Sequence, residues 1–356
     1  MKIVFSGGGT LGPVTPLLAI HEILKEKYPE GEFVWVGTKT GPEKKLVEDK
    51  GILFASFSSG KLRRYFSIFN IVDIGKIIAG FFESLVFLKK TKPDLCISAG
   101  GFVSVPLHLA ARFLRIPTWV HSQDVEIGLS IKLMAPFAKI ITTALKQNVV
   151  YFPKNKTRWL GNPVRNSVLT GYRHQAVVSF GLKGNLPVVF ATGGGTGSKN
   201  INQFVAEAVG HLEGICEIIH LSGRERPREL SEKIATQYDY YHHFIFFAEE
   251  MKDAYAVADI VVSRGGFGTL TELAALAKPA IIIPIPGHQE ANVKFLAEVE
   301  AIVLVDERTC SGVQLASTIK ELLKDKKRME LMGKKLNNLL PLAKKEDVLR
   351  IVEAYM

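Results

Sequence analysis

Three glycine-bearing runs hold the residues best suited to chemistry. Residues 7–12 read Gly-Gly-Gly-Thr-Leu-Gly directly after an apolar run, and Thr15-Pro16 follows as a helix N-cap and first-turn proline. A strand, a glycine turn and a helix N-terminus make an anion site, because unpaired backbone N–H groups and the helix dipole face the ligand. Residues 193–198, Gly-Gly-Gly-Thr-Gly-Ser, repeat that arrangement in the second half of the chain. The third run, Val-Val-Ser-Arg-Gly-Gly-Phe-Gly-Thr-Leu-Thr-Glu over 261–272, sets Glu272 one helical turn beyond a glycine turn. A carboxylate there can accept both hydroxyls of a ribose. Thr269-x-x-Glu272 is equally the pattern of a capping box, and local chemistry leaves the two readings open. Downstream, Pro284-Ile-Pro-Gly-His-Gln289 places an imidazole and an amide after another apolar run.

These loops need a scaffold, and the apolar pattern supplies one. Runs at 2–6, 33–37, 53–57, 95–99, 118–121 and 139–143 read as strands buried on both faces. Amphipathic stretches separate most of them, the mark of a parallel sheet wound by crossover helices. A second series follows at 187–192, 216–221, 244–248, 259–263, 280–285 and 302–306. The expected fold is therefore α/β with two Rossmann-like domains, over 1–163 and 164–340, whose glycine loops face one cleft. The last pattern, 341–356, reads as a C-terminal helix that either stays with the second sheet or crosses back to the first domain.

The 356 residues suffice for two cores, and 47% hydrophobic content excludes disorder. A net charge of +10 points to anionic partners. Cys96, Cys216 and Cys310 form no CxxC pattern, which favours a reducing compartment over a disulfide or zinc framework. The N-terminus lacks the regions of a signal peptide, and the uncharged stretch 95–111 is short and broken by Gly100-Gly101 and Pro106, so no membrane span is expected. No nucleic-acid motif is present. Gly7-x-Gly9-x-x-Gly12 also fits a dinucleotide fingerprint, but the next strand ends Val36-Gly37-Thr38, where an NAD enzyme wants an acid for the ribose.

Taken in order, the motifs resemble one family. They are Thr-x-Gly-x-x-x-Pro at 10–16, Gly-Gly-Phe-Val-Ser-Val-Pro at 100–106, His-Ser-Gln-Asp at 121–124 and Gly-Asn-Pro-Val-Arg at 161–165, followed by the loop at 193–197, the run at 264–272 and Pro284 to Gln289. The set is similar to the MurG family of GT-B glycosyltransferases. The resemblance implies inverting, metal-independent transfer of N-acetylglucosamine from UDP-GlcNAc to lipid I at the cytoplasmic face of the bacterial membrane, with no cofactor. It places Thr10, Leu11, Gly12 and Asp124 beside sugar and diphosphate, Arg165 on the donor, and Gly194, Gly195 and Thr196 at the phosphates. Ala248 would meet the uracil through its backbone. Phe267, Gly268, Thr269, Leu270, Thr271 and Glu272 would cover uridine and phosphate, with Glu272 on the ribose, and Gln289 would hold the sugar. Gly100, Gly101, Ser104 and His121 would face the acceptor.

Two departures from the family pattern fall on the acceptor side. The family's first loop ends in a histidine considered important for catalysis, and here that position is Pro13. The family's His-Glu-Gln-Asn is here His121-Ser122-Gln123-Asp124. Candidates for the base that an inverting transfer needs are then Asp124, Glu126 and His121, in that order. A related UDP-sugar transferase with another lipid-linked acceptor, or a catalytically weakened UDP-sugar-binding homologue, stands as the alternative. Residues 61–92 hold seven basic side chains against Asp73 and Glu83, interleaved with phenylalanines. Arg63, Arg64, Phe66, Phe69, Lys76, Phe81 and Phe82 are the expected contacts with an anionic membrane surface, the alternative being a core helix with a solvated edge.

Overall fold

A computed structural model of the chain describes residues 1–60, 69–194, 197–224, 229–247, 249–287 and 289–355, with the backbone alone for 69–72. It divides into a first unit, Met1–Arg165 with Leu342–Met356, and a second unit, Asn166–Pro341.

The first unit is built on seven strands: β1 (Lys2–Ser6), β2 (Glu32–Thr38), β3 (Leu53–Phe57), β4 (Leu95–Ser98), β5 (Thr118–Ser122), β6 (Ile140–Thr143) and β7 (Thr157–Trp159). All pair in parallel, in the order β3-β2-β1-β4-β5-β6-β7. Alternation along β1 feeds two cores: Ile3 and Phe5 enter one cluster with Leu17, Trp35 and Trp119, while Val4 enters another with Val36, Leu88 and Leu107. The helix Lys345–Glu353 contributes Val348, Ile351 and Val352 to the first cluster, so the end of the chain belongs to this unit's core.

The second unit carries β8 (Val188–Thr192), β9 (Glu217–Leu221), β10 (Tyr241–Phe244), β11 (Ile260–Ser263), β12 (Ala280–Ile282) and β13 (Val303–Leu304), again all parallel, in the order β10-β9-β8-β11-β12-β13. In each sheet the winding reverses once, between β1 and β4 and between β8 and β11. Outside the carboxyl ends of such a pair is where open α/β sheets take ligands.

Several sequence expectations need correction. Burial on both faces holds for the central strands and fails at the edges: Leu53 at the start of β3 is 71% exposed, and β7, whose residues are Thr-Arg-Trp, carries no apolar run to announce it. Among the described residues of the expected strand at 244–248, only Phe244 belongs to β10, which runs over Tyr-His-His-Phe.

Four histidines lie in these cores. Burial pushes His108 and His220 down to about 3 and His121 to about 4, and burial with nearby Lys25 and Lys50 brings His21 to about 4. The unfolded chain takes up these protons near pH 6.5 and the folded chain does not, so stability is complete above that pH and falls as pH drops toward 4. We expect the urea midpoint to drop between pH 7 and pH 4.5 by an amount worth on the order of several kcal/mol. A flat midpoint across that range would show that the rings gain compensating partners when protonated.

Candidate functional site

In the first unit, the loops after β1, β4 and β5 meet at the reversal of winding. Gly100 and Gly101 take φ of +109° and +85°, and a Cβ on Gly101 would press on the Gly8 backbone at 3.0 Å. A Cβ on Gly12 would sit 3.5 Å from Gln123 Nε2 and 3.8 Å from Thr10 Oγ1, and one on Gly100 would sit 3.8 Å from the Pro13 ring. Thr10, Gly12, Pro13, Gly100 and Gln123 are thus brought together. Ser104 is not available to a ligand: it is fully buried, with its hydroxyl 2.9 Å from the Ser6 carbonyl and 2.8 Å from that of Gly100, tying the two loops to each other. Thr15 is not the N-cap. The helix begins at Thr15 after Val14, and the N–H groups of Val14 and Thr15 both turn back to the Leu11 carbonyl. Those two donors are consequently spent inside the loop.

The base candidates separate clearly. His121 is fully buried, and its Nδ1 lies 2.9 Å from Thr142 Oγ1, which accepts the Trp119 indole N–H at 2.8 Å. The Thr142 hydroxyl must donate somewhere, and Nδ1 is the acceptor beside it, so the ring proton sits on Nε2. With burial holding the ring neutral down to about pH 4, His121 is a poor base. Glu126 is exposed. Asp124 is half-buried, and its own carbonyl is held by the Asn148 amide at 2.8 Å. Arg165 closes the unit, half-buried.

In the second unit, the loops after β8 and β11 flank the reversal. Gly194 and Gly197 take φ of +81° and +74°, and Ser198 caps the helix Lys199–Ala208 by accepting the Ile201 N–H. After β11, Gly266 opens the helix Phe267–Ala275 in an extended conformation with no side-chain cap. Thr269 therefore lies inside the helix, and the capping box is not formed. Phe267 and Leu270 point into the core, so toward a ligand they offer backbone only. The first-turn N–H groups of this helix have no acceptor within it. Glu272 is 8% exposed, and its Oε2 accepts the Tyr255 hydroxyl at 3.0 Å. Gln289 uses Oε1 to accept from Gly265 N at 3.1 Å and Ile285 N at 3.0 Å. That turns Nε2 toward Gly266, where a Cβ would lie 3.6 Å from it.

Sequence reasoning missed Tyr255, and also Arg264, whose guanidinium reaches Ser198 Oγ at 2.6 Å, the Ile283 carbonyl at 3.0 Å and Glu307. Arg264 so fastens one glycine loop to the other, and no local spacing reveals that a residue at 307 completes it. Gly195, Thr196, Ala248 and His288 lie outside the described residues, as do Arg63, Arg64, Phe66 and the side chain of Phe69. Among the described residues, no group of three or more His, Cys, Asp or Glu stands together to hold a metal ion, and no helix is long and apolar enough to cross a membrane.

Residues 3–143 match the N-terminal domain, and residues 188–348 the C-terminal domain, of glycosyltransferase family 28. The chain is 34% identical over 355 residues to the UDP-N-acetylglucosamine--N-acetylmuramyl-(pentapeptide) pyrophosphoryl-undecaprenol N-acetylglucosamine transferase of Clostridium perfringens, covering 97% of this chain and 98% of that protein. It is 39% identical over 286 residues to the enzyme of that name from Staphylococcus carnosus, covering 80% and 77%. The crystal structure of Acinetobacter baumannii MurG superposes with a TM-score of 0.73 at 25% identity over 99% of both chains. With both family 28 domains in place and relatives of this identity along nearly its whole length, the chain belongs to the MurG family of GT-B glycosyltransferases.

Proposed function

We propose that the chain transfers N-acetylglucosamine from UDP-GlcNAc to undecaprenyl-pyrophosphoryl-MurNAc-pentapeptide, lipid I, with inversion, forming lipid II in peptidoglycan synthesis. The observation that carries this reading is the paired glycine loops at the reversal of the second sheet, with Glu272 behind them. Uridine needs a carboxylate and diphosphate needs backbone donors, and the second unit has both within one short stretch of β11 and its helix. Gln289, oriented by its two backbone bonds, suits a sugar hydroxyl. Leaving charge on UDP is taken by loop N–H groups and by Arg165, without a resident metal. The first unit takes the acceptor, with Asp124 as base.

For the membrane, the helix Phe69–Thr91 supports a peripheral position at the cytoplasmic face. Ile74, Ile78, Phe82 and Val86 are all exposed, by 49% to 70%, and their spacing of four lines them along one face. Phe82 and Lys76 are exposed, in keeping with membrane contact, whereas Phe81 packs against the first unit's core. We expect Ile78→Glu with Phe82→Glu to weaken binding to anionic phosphatidylglycerol vesicles at least tenfold in a sedimentation assay and to leave UDP affinity unchanged. Equal binding by the double variant would remove this face from the membrane.

Pro13 and Ser122 favour one further reading, a related UDP-sugar transferase with a different lipid-linked acceptor. A UDP-release assay with UDP-GlcNAc and a panel of lipid-linked acceptors tests both. Turnover is expected with the lipid I analogue. Turnover only with another acceptor replaces it, and UDP binding without turnover on any acceptor leaves a binding protein.

A further inference from the structure

A second buried carboxylate lies beneath the first glycine loop, and nothing in the reading above uses it. Glu43 begins the short helix Glu43–Glu48 and is fully buried. Its Oε1 accepts the Thr38 backbone N–H and the Thr38 hydroxyl, both at 2.6 Å, and its Oε2 accepts the Gly9 N–H at 3.2 Å. The Thr38 hydroxyl is itself aimed by the Gly41 N–H at 2.9 Å. Among the described residues no cation pairs with it. Room for it is made by glycine: a Cβ on Gly8 or on Gly41 would overlap the carboxylate, and one on Gly37 would come within 3.0 Å.

A buried charge held only by neutral donors is costly, and it persists where its hydrogen bonds fix something that matters. What these bonds fix is the loop. Gly9 stands at φ +82°, a backbone conformation with little of its own to define it, and the Glu43 contact is the side-chain tether on its N–H. Among the residues that follow, Gly12 approaches Gln123 and Pro13 approaches Gly100. The bond also takes one donor out of use: the Gly9 N–H, which a phosphate would claim in a dinucleotide site, already faces the Glu43 carboxylate.

We propose that Glu43 is a positioning residue, its carboxylate gripping the Gly9 amide so that the loop Thr10–Pro13 is set for the transfer. This rests on the transferase reading above. The second unit's hold on UDP, through Glu272 and the loops after β8 and β11, is independent of it. In Glu43→Gln the amide oxygen keeps the Thr38 donors and the NH₂ group is left facing the Gly9 N–H, donor against donor, so the turn at Thr38 survives and the loop tether is lost. Misplacement of reacting groups by a fraction of an ångström is costly in rate.

The expected result is a kcat with lipid I analogue lowered about tenfold or more, a Kd for UDP within twofold of the unmodified chain, a thermal midpoint little changed, and faster hydrogen exchange over residues 7–14. Thr38→Val, which removes one of the three donors to the same carboxylate, should give a smaller loss of the same kind. Unchanged turnover and exchange in Glu43→Gln overturn the proposal, and so does a loss of turnover matched by an equal loss of UDP affinity and of thermal stability. Should Glu43→Gln not fold, unchanged turnover and exchange in Thr38→Val overturn it. Should the unmodified chain transfer no sugar to any acceptor, the function reading fails, and exchange over 7–14 alone then judges the tether.

Discussion

Glu272→Ala is expected to weaken UDP binding on the order of 100-fold, read by calorimetry, while the fold is kept. Two hydrogen bonds from ribose hydroxyls to a carboxylate, at about 1.5 kcal/mol or more each, amount to about 3 kcal/mol, and each 1.4 kcal/mol is a factor of ten. The structure removes the competing explanation for this carboxylate. As a capping group it would have to reach back to the N-cap of its helix, and that helix opens at Gly266, too early for Thr269 to take the cap position. Its Oε2 accepts the hydroxyl of Tyr255, from the helix Met251–Val257. Tyr255 is fully buried and packs edge-on against Phe190 of β8, so the hydroxyl is a fixed post. Tyr255→Phe keeps that packing and removes the post, and a loss of only several-fold is expected. Were Glu272→Ala to bind UDP normally and melt early instead, the carboxylate would be a core strut for Tyr255 and nothing more.

How much of this could be read from the chain alone depends on how local each signal is. Central strands of a parallel sheet are buried on both faces, so β1, β4, β8 and β11 announce themselves as apolar runs, and the glycines after them announce the loops. Edge strands do not: β7 is Thr-Arg-Trp, and β10 carries His242 and His243, while the more apolar run beside it, Ile245 to Phe247, is loop with Phe246 exposed against the Arg224 guanidinium at 3.7 Å. The capping box does not form because a buried Phe267 draws the helix N-cap forward by three residues, from Thr269 to Gly266. Glu43 was invisible for a different reason. Flanked by Lys44 and Lys45 it reads as a solvated helix start, and its burial is created by Gly8 and Gly37, distant in sequence and adjacent only once β1 and β2 pair. Arg264 with Glu307, and His121 with Thr142, are likewise pairs that only strand order brings together.

The same contrast decides which acceptor-side residue should carry the largest kinetic effect. Pro13 has no proton to exchange, His121 has its basic lone pair covered by Thr142 and is neutral at physiological pH, and Glu126 stands exposed in water where its charge is screened. Asp124 is half-buried just past the carboxyl end of β5, on a backbone pinned by Asn148 and next to Gln123, which approaches Gly12. In the proposed role it takes the proton from the attacking hydroxyl as the glycosidic bond to UDP breaks. Asp124→Asn, equal in shape and unable to accept that proton, is therefore expected to lower kcat with lipid I analogue by about 10² to 10⁴, to leave the Kd for UDP close to its original value, and to abolish the fall of rate at low pH that marks a base becoming protonated. Asp124→Glu should recover part of the rate. If Asp124→Asn instead retains kcat and loses donor affinity, its carboxylate serves the donor sugar, and the base must be sought at Glu126.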